Sequence, residues 1–177
     1  EEFEKKLSDY TGAPYVVSVD SCTNAIFLIC KRLGVEKTLL PKHTYLSIPM
    51  SVIHSGGEVE FEDREWKGMY QLKPYPIWDS AKRLKRDMYI KGSYIGLSFH
   101  ILKHIPSGKG GAILCDNKED YEWFKKARYE GRTFGMSYHD DELDFCGWNM
   151  YMTPEQAIRG IQLMDILEDD NPDLIED

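Results

Sequence analysis

Apolar positions recur along this chain with two different periods, and the changes between them mark its elements. Phe3, Leu7 and Tyr10 share one face of a helix over residues 2–10, closed by Gly12. Residues 15–19 are an unbroken β-rich run, residues 38–40 a shorter one, and residues 58–62 alternate acidic with apolar as a half-buried strand does. Between the first two runs, residues 24–33 predict a helix that ends at Gly34. Its middle, Ala25 to Cys30, is apolar all round, which marks a buried helix. Residues 45–54 predict another helix, kinked or opened by Pro49 and stopped by Ser55-Gly56-Gly57. Short strands follow at 75–79, ending in the carboxylate of Asp79, at 94–99 and at 112–115. Asp116 and Glu119 form a capping-box pattern for a helix over residues 117–129. Thr153, Pro154 and Gln156 open a last helix reaching about Leu167, with Ile158, Ile161, Met164 and Leu167 on its apolar face. Residues 63–76 and 131–146 carry no period, and Lys82 to Arg86 is a basic cluster on a loop or a solvated face.

Strands alternating with helices predict the α/β class: a mostly parallel central sheet flanked by helices. The expected organisation is one domain over residues 1–168 and a frayed, solvated acidic tail over 169–177. Composition changes this picture little. With 177 residues, 42% of them hydrophobic, the chain is long enough for one sizeable core. A net charge of −8 argues against nucleic acid or an anionic membrane as the main partner. The longest apolar run is far shorter than a membrane span, and no signal-peptide pattern opens the chain. Cys22, Cys30, Cys115 and Cys146 form no CxxC pair and no metal-ligand spacing with the histidines, so a reduced, cytoplasmic, metal-free protein is expected.

Three chemically useful groups fall at the carboxyl ends of predicted strands, where open α/β sheets bind ligands: Ser21-Cys22-Thr23, Asp79, and Ser98 with Lys103. Each has a plain reading. The first is equally a Ser/Thr helix cap, and Lys103 a loop lysine beside a glycine turn. Together they offer a helix N-terminus for a phosphate, a carboxylate and an amine, which is what pyridoxal phosphate requires. Composition and spacing permit this cofactor without establishing it. A nucleotide phosphate loop at Ser107-Gly108-Lys109-Gly110 fails, because Gly110 stands where Ser or Thr is needed and Lys103 holds the first glycine position. Trp66, Trp78 and Trp123 read as packing residues, and Arg128 and Arg132 as a solvated helix end or a contact for an anionic substrate.

The motifs and their order resemble those of the DegT/DnrJ/StrS-type sugar aminotransferases, a branch of the fold-type I enzymes. Ser98-Phe99-His100-Ile101-Leu102-Lys103 followed by Gly108-Lys109-Gly110-Gly111 matches the family's Ser-Phe-His-x-x-Lys and glycine turn. Ser21-Cys22-Thr23 corresponds to its phosphate turn, Thr44-Tyr45 to a Thr-aromatic pair, and Asp79-Ser80-Ala81 to its Asp-Ala-Ala segment. Gly147 to Thr153 corresponds to its Gly-Tyr-Asn-Tyr-Arg-Met-Thr segment.

The resemblance implies a pyridoxal-phosphate Schiff base on Lys103, Asp79 on the ring nitrogen, and Tyr45 stacked on the ring. It also implies phosphate contacts from Cys22, Thr23 and Ser98, and from Asn149 of a second copy in a homodimer with a shared active site. The implied reaction moves an amino group from a donor such as glutamate to a keto-sugar, nucleotide-linked in the family. Four departures stand out: Cys22 for glycine, which should hold the backbone further from a phosphate, Lys82 for Gln or His, Lys109 for Glu, and Tyr151 for Arg. Residues 63–76 are also short for the family, and its C-terminal small domain has no counterpart here. These shortenings leave a second reading, a non-catalytic homologue that binds pyridoxal phosphate or another phosphorylated ligand.

Overall fold

The computed structural model describes residues 1–175, and among them the elements run α1 (Glu2–Thr11), β1 (Tyr15–Val19), α2 (Cys22–Leu33), β2 (Lys37–Pro41), α3 (Ser47–Ser55), β3 (Glu58–Glu62), β4 (Tyr70–Leu72), β5 (Ile77–Asp79), β6 (Tyr94–Ser98), β7 (Gly111–Cys115), α4 (Lys118–Ala127) and α5 (Pro154–Met164). Five strands form one sheet in the order β1-β7-β6-β5-β4, and β2 and β3 form a separate pair. Backbone bonds between Leu39 and Lys73 (2.8 and 3.3 Å) tie that pair to the end of β4.

The α/β class holds, but the sheet is mixed rather than mostly parallel. Only β5–β6 and β2–β3 pair parallel; β1–β7, β6–β7 and β4–β5 are antiparallel. The reason lies in the connections, since a parallel pair needs a crossover and a short link forces reversal. Helix α3 provides the crossover between β2 and β3. Residues 73–76 turn β4 straight into β5, whereas residues 80–93, which hold no helix, are long enough to return the chain to a parallel β6. Two reversals restore direction, so β1, β5 and β6 run the same way while β4 and β7 oppose them.

Alternate residues of the central strands feed two cores, as the pleat requires. Val17, Val19, Ile113 and Cys115 pack with Ala25, Ile26, Leu28 and Ile29 of α2 and Phe124 of α4. Val16, Ile95, Leu97, Ala112 and Leu114 pack on the opposite face with Phe3 and Leu7 of α1. Helix α5 joins that second layer through Gly160, where an added Cβ would lie 2.7 Å from the Phe3 ring. This close approach rotates Ile158, predicted on the apolar face, outward to 56% exposure.

The acidic end is also not the free tail expected. Asp173 makes a two-pronged ion pair with Arg83 (2.8 and 2.6 Å), Asp169 pairs with Arg86, and Asn171 donates to the Tyr10 hydroxyl (2.7 Å). Its backbone is held as well, with Leu174 N–H donating to Lys82 O (2.9 Å) and the His104 ring bonded through Nε2 to Pro172 O (2.8 Å). The acidic run finds arginines from the 80–90 loop, which neutralise it. Residues 176 and 177 of the predicted tail lie outside the described residues.

Candidate active site

Helix α2 begins beside the carboxyl end of β1, and its N-terminus is tightly seated. Ser21 accepts the Asn24 N–H (3.1 Å) and donates to Asp20 Oδ1 (3.2 Å), which also accepts from Asn24 Nδ2 (2.6 Å). Ser21 therefore serves as the helix cap. Gly111 of β7 lies directly beneath this turn. A Cβ there would fall 2.4 Å from the Ser21 carbonyl carbon and 2.5 Å from Cys22 N. The second glycine of the Gly110-Gly111 pair thus lets the turn rest on the strand. The first-turn N–H groups of a helix have no acceptor within it, which makes this end a place for an anion. Thr23 Oγ1 shares a hydrogen bond with Ser47 Oγ at the start of α3 (2.8 Å), and Ser51 Oγ donates to Thr23 O (3.0 Å).

Asp79 closes β5 and is only 4% exposed. Its Oδ1 accepts the Ala81 N–H (3.0 Å) and lies 3.8 Å from Cys22 Sγ, and Tyr70 of β4 stands opposite it in register. Burial raises its pKa, opposed by the Ala81 and Tyr70 donors, the charge of Lys103 and the Cys22 thiol. Burial and the neighbouring carboxylate push the Cys22 thiol well above its ordinary range, so it is a protonated donor. The sulfur points toward the sheet: a Cβ on Gly96 would sit 3.4 Å from it. The departure from glycine therefore fills space beneath the turn.

Lys103 lies half-buried in the loop after β6, its N–H donating to His100 O (2.9 Å). Its charge acts on both Asp79 and Cys22, which brings the expected amine, carboxylate and phosphate turn into one electrostatic neighbourhood. Ser98 ends β6 on the same side, its Oγ accepting the His100 N–H at 3.4 Å. Tyr45 is 70% exposed ahead of α3, with its ring uncovered. Asn149 turns its amide to Glu130 (3.0 Å), while the next residue's carbonyl, Met150 O, accepts the Asp20 N–H (2.9 Å) at the edge of the phosphate turn. The departure at Lys109 places its amine 3.4 Å from Asp20 Oδ2, and Lys82 lies over the Trp66 ring at 5.6 Å. Arg128 is locked onto Glu4 (2.5 Å) and Ser18 (2.9 Å to Oγ), a structural anchor rather than a substrate contact.

Two residues at the site escaped the sequence reading. Ser47 has no motif around it. Tyr70 lies in the stretch without a clear period, although the two prolines at 74 and 76 between short apolar runs were a usable hairpin signal.

The model of the DegT/DnrJ/EryC1/StrS aminotransferase family matches residues 1–77 and 90–172. The break falls across Asp79 and Lys82, so the position of Asp79 rests on the strand geometry. The spore coat polysaccharide biosynthesis protein SpsC of Bacillus subtilis is 33% identical over 96% of this chain and 57% of its own length. A DegT DnrJ EryC1 StrS aminotransferase from Brucella abortus shares the fold with a TM-score of 0.79 at 20% identity, over 95% of this chain and 58% of that one. Spr1654 of Streptococcus pneumoniae, assigned as a sugar aminotransferase and solved in its PLP form, superposes with a TM-score of 0.72 at 17% identity, over 94% and 58% of the two chains. The chain thus spans little more than half the length of the relatives it matches. With the family's motifs at the carboxyl edge of this sheet and its model matching along most of the sequence, the chain belongs to the DegT/DnrJ/EryC1/StrS aminotransferase family.

Proposed function

We propose that this chain binds pyridoxal phosphate between α2, β5 and β6 and acts as an amino-sugar-forming transaminase. The observation that carries the reading is Asp79, a buried carboxylate within reach of the charge of Lys103 at the mouth of a glycine-seated helix N-terminus. The residues present fit the cofactor. A carboxylate offers about four acceptor positions, so the donors from Ala81, Cys22 and Tyr70 leave room for a ring N–H. When bound, pyridoxal phosphate supplies an aldehyde for an amine and a ring that accepts an electron pair.

Asp79 holds the proton on the ring nitrogen, and the α2 N-terminus with Thr23 and Ser98 binds the phosphate, Cys22 contributing its backbone. Tyr45 offers a flat face to the ring. Lys103 Nζ is the covalent anchor and the base that removes and returns the proton at the donor's α-carbon. In a homodimer Asn149 of the second copy completes the phosphate contacts. The amino acceptor is a keto-sugar, nucleotide-linked, and the donor an amino acid such as glutamate; the polysaccharide role in the name of SpsC supports the sugar. Among the described residues no helix is long and apolar enough to cross a membrane. A second reading is a cofactor-binding homologue without turnover.

Borohydride reduction with pyridoxal phosphate, followed by peptide mass spectrometry, is expected to label Lys103. No label, or equal labelling in Lys103→Ala, refutes the site. Loss of the bound cofactor's absorbance on adding glutamate selects turnover, and its persistence with every amino donor selects the second reading.

A further inference from the structure

Tyr70 belongs to none of the motifs, yet it stands in register opposite the carboxylate at the centre of the site. Strands β4 and β5 pair antiparallel with Tyr70 directly opposite Asp79, so the two side chains leave the sheet on one face. Both are buried, at 3% and 4% exposure. The Tyr70 hydroxyl is hydrogen-bonded to Thr44 Oγ1, and the register places the ring across the strand pair from the Asp79 carboxylate, where its donor opposes the effect of burial on that group. A phenol has one hydrogen and an ionised carboxylate has none. With its one hydrogen given to Asp79, the Tyr70 oxygen accepts from Thr44, so the order Thr44 to Tyr70 to Asp79 is the one that satisfies all three groups. The ring is held from the outside by Trp66, whose centroid lies 4.7 Å away. Trp66 is itself fixed by its Nε1 donating to His43 O at 2.6 Å.

We infer that Tyr70 is a positioning residue for this site, its hydroxyl holding the Asp79 carboxylate aimed toward a cofactor ring. The inference rests on the reading of the site as one for pyridoxal phosphate. Its physical content is specific. Burial drives Asp79 toward its neutral form, which cannot keep a proton on a ring nitrogen, and a phenol donor opposes that drift. The three-residue strand β4 supplies that donor from a segment that carries no motif.

The test titrates the full chain with pyridoxal phosphate from acid to neutral pH, in wild-type and Tyr70→Phe forms, with borohydride trapping at each pH. Tyr70→Phe is expected to bind about tenfold more weakly at neutral pH, equivalent to about 1.4 kcal/mol. The acid limb of its binding curve is expected about one pH unit higher. Thr44→Val, which removes the donor behind the phenol, moves the limb the same way by less, and it carries the test if Tyr70→Phe does not fold. A weaker but parallel curve with an unmoved acid limb overturns the role, because general loosening of the site does not displace a titration. Failure of the wild type to form any adduct at Lys103 overturns the cofactor reading, and this role with it. A wild-type adduct with coincident acid limbs overturns the role of Tyr70 alone.

Discussion

A methyl group added at residue 111 tests how the phosphate turn is held. In Gly111→Ala the new Cβ lies 2.4 Å from the Ser21 carbonyl carbon, 2.5 Å from Cys22 N and 2.6 Å from Ser21 O. Carbon atoms rest about 3.5–4.0 Å apart, so the gap must open by roughly 1 Å. Strand β7 cannot supply that movement, because Ile113 is paired with Val17 on one side and Gly96 on the other. The turn must retreat instead, and backbone gives less readily than side chain. Overpacking costs about 1–3 kcal/mol, and a backbone neighbour places this case near the top, after an offsetting gain of about 0.4–1 kcal/mol from a stiffer unfolded chain. Next door, Gly110→Ala meets the Met152 Cε at 2.8 Å, the end of a flexible side chain, and Ser107 Oγ at 3.3 Å. That change should cost about 1 kcal/mol or less. Thermal unfolding of the cofactor-free protein separates them: for a chain of this size each kcal/mol is about 2–4 °C in Tm, so Gly111→Ala should fall by roughly 4–10 °C and Gly110→Ala by at most about 4 °C. Equal losses from the two neighbours would show that the turn does not rest on Gly111.

Asp79→Asn should weaken pyridoxal phosphate binding roughly tenfold to a hundredfold, the worth of a charge-assisted hydrogen bond, while making the cofactor-free fold less sensitive to pH. Since the folded pKa of Asp79 lies above its unfolded value, its stabilising share is complete below about pH 3.9 and is lost as pH rises through the folded pKa; urea midpoints against pH should therefore flatten in the variant, and identical slopes would exclude Asp79 as the group. Asp173 behaves oppositely: its bond to Arg83 lowers its pKa, so that stability is present above about pH 3.9 and fades as pH falls through the folded value. Arg83→Ala should cost about 1.5–3 kcal/mol, the range for hydrogen bonds to charged groups, and should speed hydrogen exchange at Leu174; unchanged exchange there would refute the docking of the acidic segment.

The sequence made some parts of this architecture plain because local chemistry decides them. The capping box of α5 is fully formed between Thr153 and Gln156, and the buried character of α2 followed from Ala25, Ile26, Leu28 and Ile29 having no polar face. Strand direction was not local: the short link 73–76 forces a reversal, whereas residues 80–93 carry the chain back to a parallel partner without a helix. Strand β4 is three residues long, too short for any period to show. The acidic segment misled for a related reason. Its run of Asp and Glu is what a solvated tail looks like, and the arginines that hold Asp169 and Asp173 come from more than eighty residues earlier (|i−j| of 83 and 90). Lys103 and Asp79 were legible as candidates from their motifs, whereas Tyr70 became visible only through its register opposite Asp79.

The mixed sheet still places the candidate groups on one edge, and the arithmetic of direction explains how. Asp79 ends β5 and Ser98 ends β6, and these two strands are parallel, with Asp79 beside Gly96. Strand β1, which delivers the α2 turn, is antiparallel to β7, itself antiparallel to β6, so two reversals return β1 to the direction of β6. The three carboxyl ends therefore face the same way, and the parallel character expected of the sheet is retained where the ligand site needs it. The reversed strands contribute from beneath: β7 through Gly111, which seats the turn, and β4 through Tyr70, which faces Asp79. The docked acidic segment then ties two loops together, bonding Lys82 three residues after Asp79 and His104 one residue after Lys103. The separation of carboxylate and amine is thus fixed by strand pairing on one side and by residues 172–174 on the other, so a site built on short loops is held by contacts that lie outside its motifs.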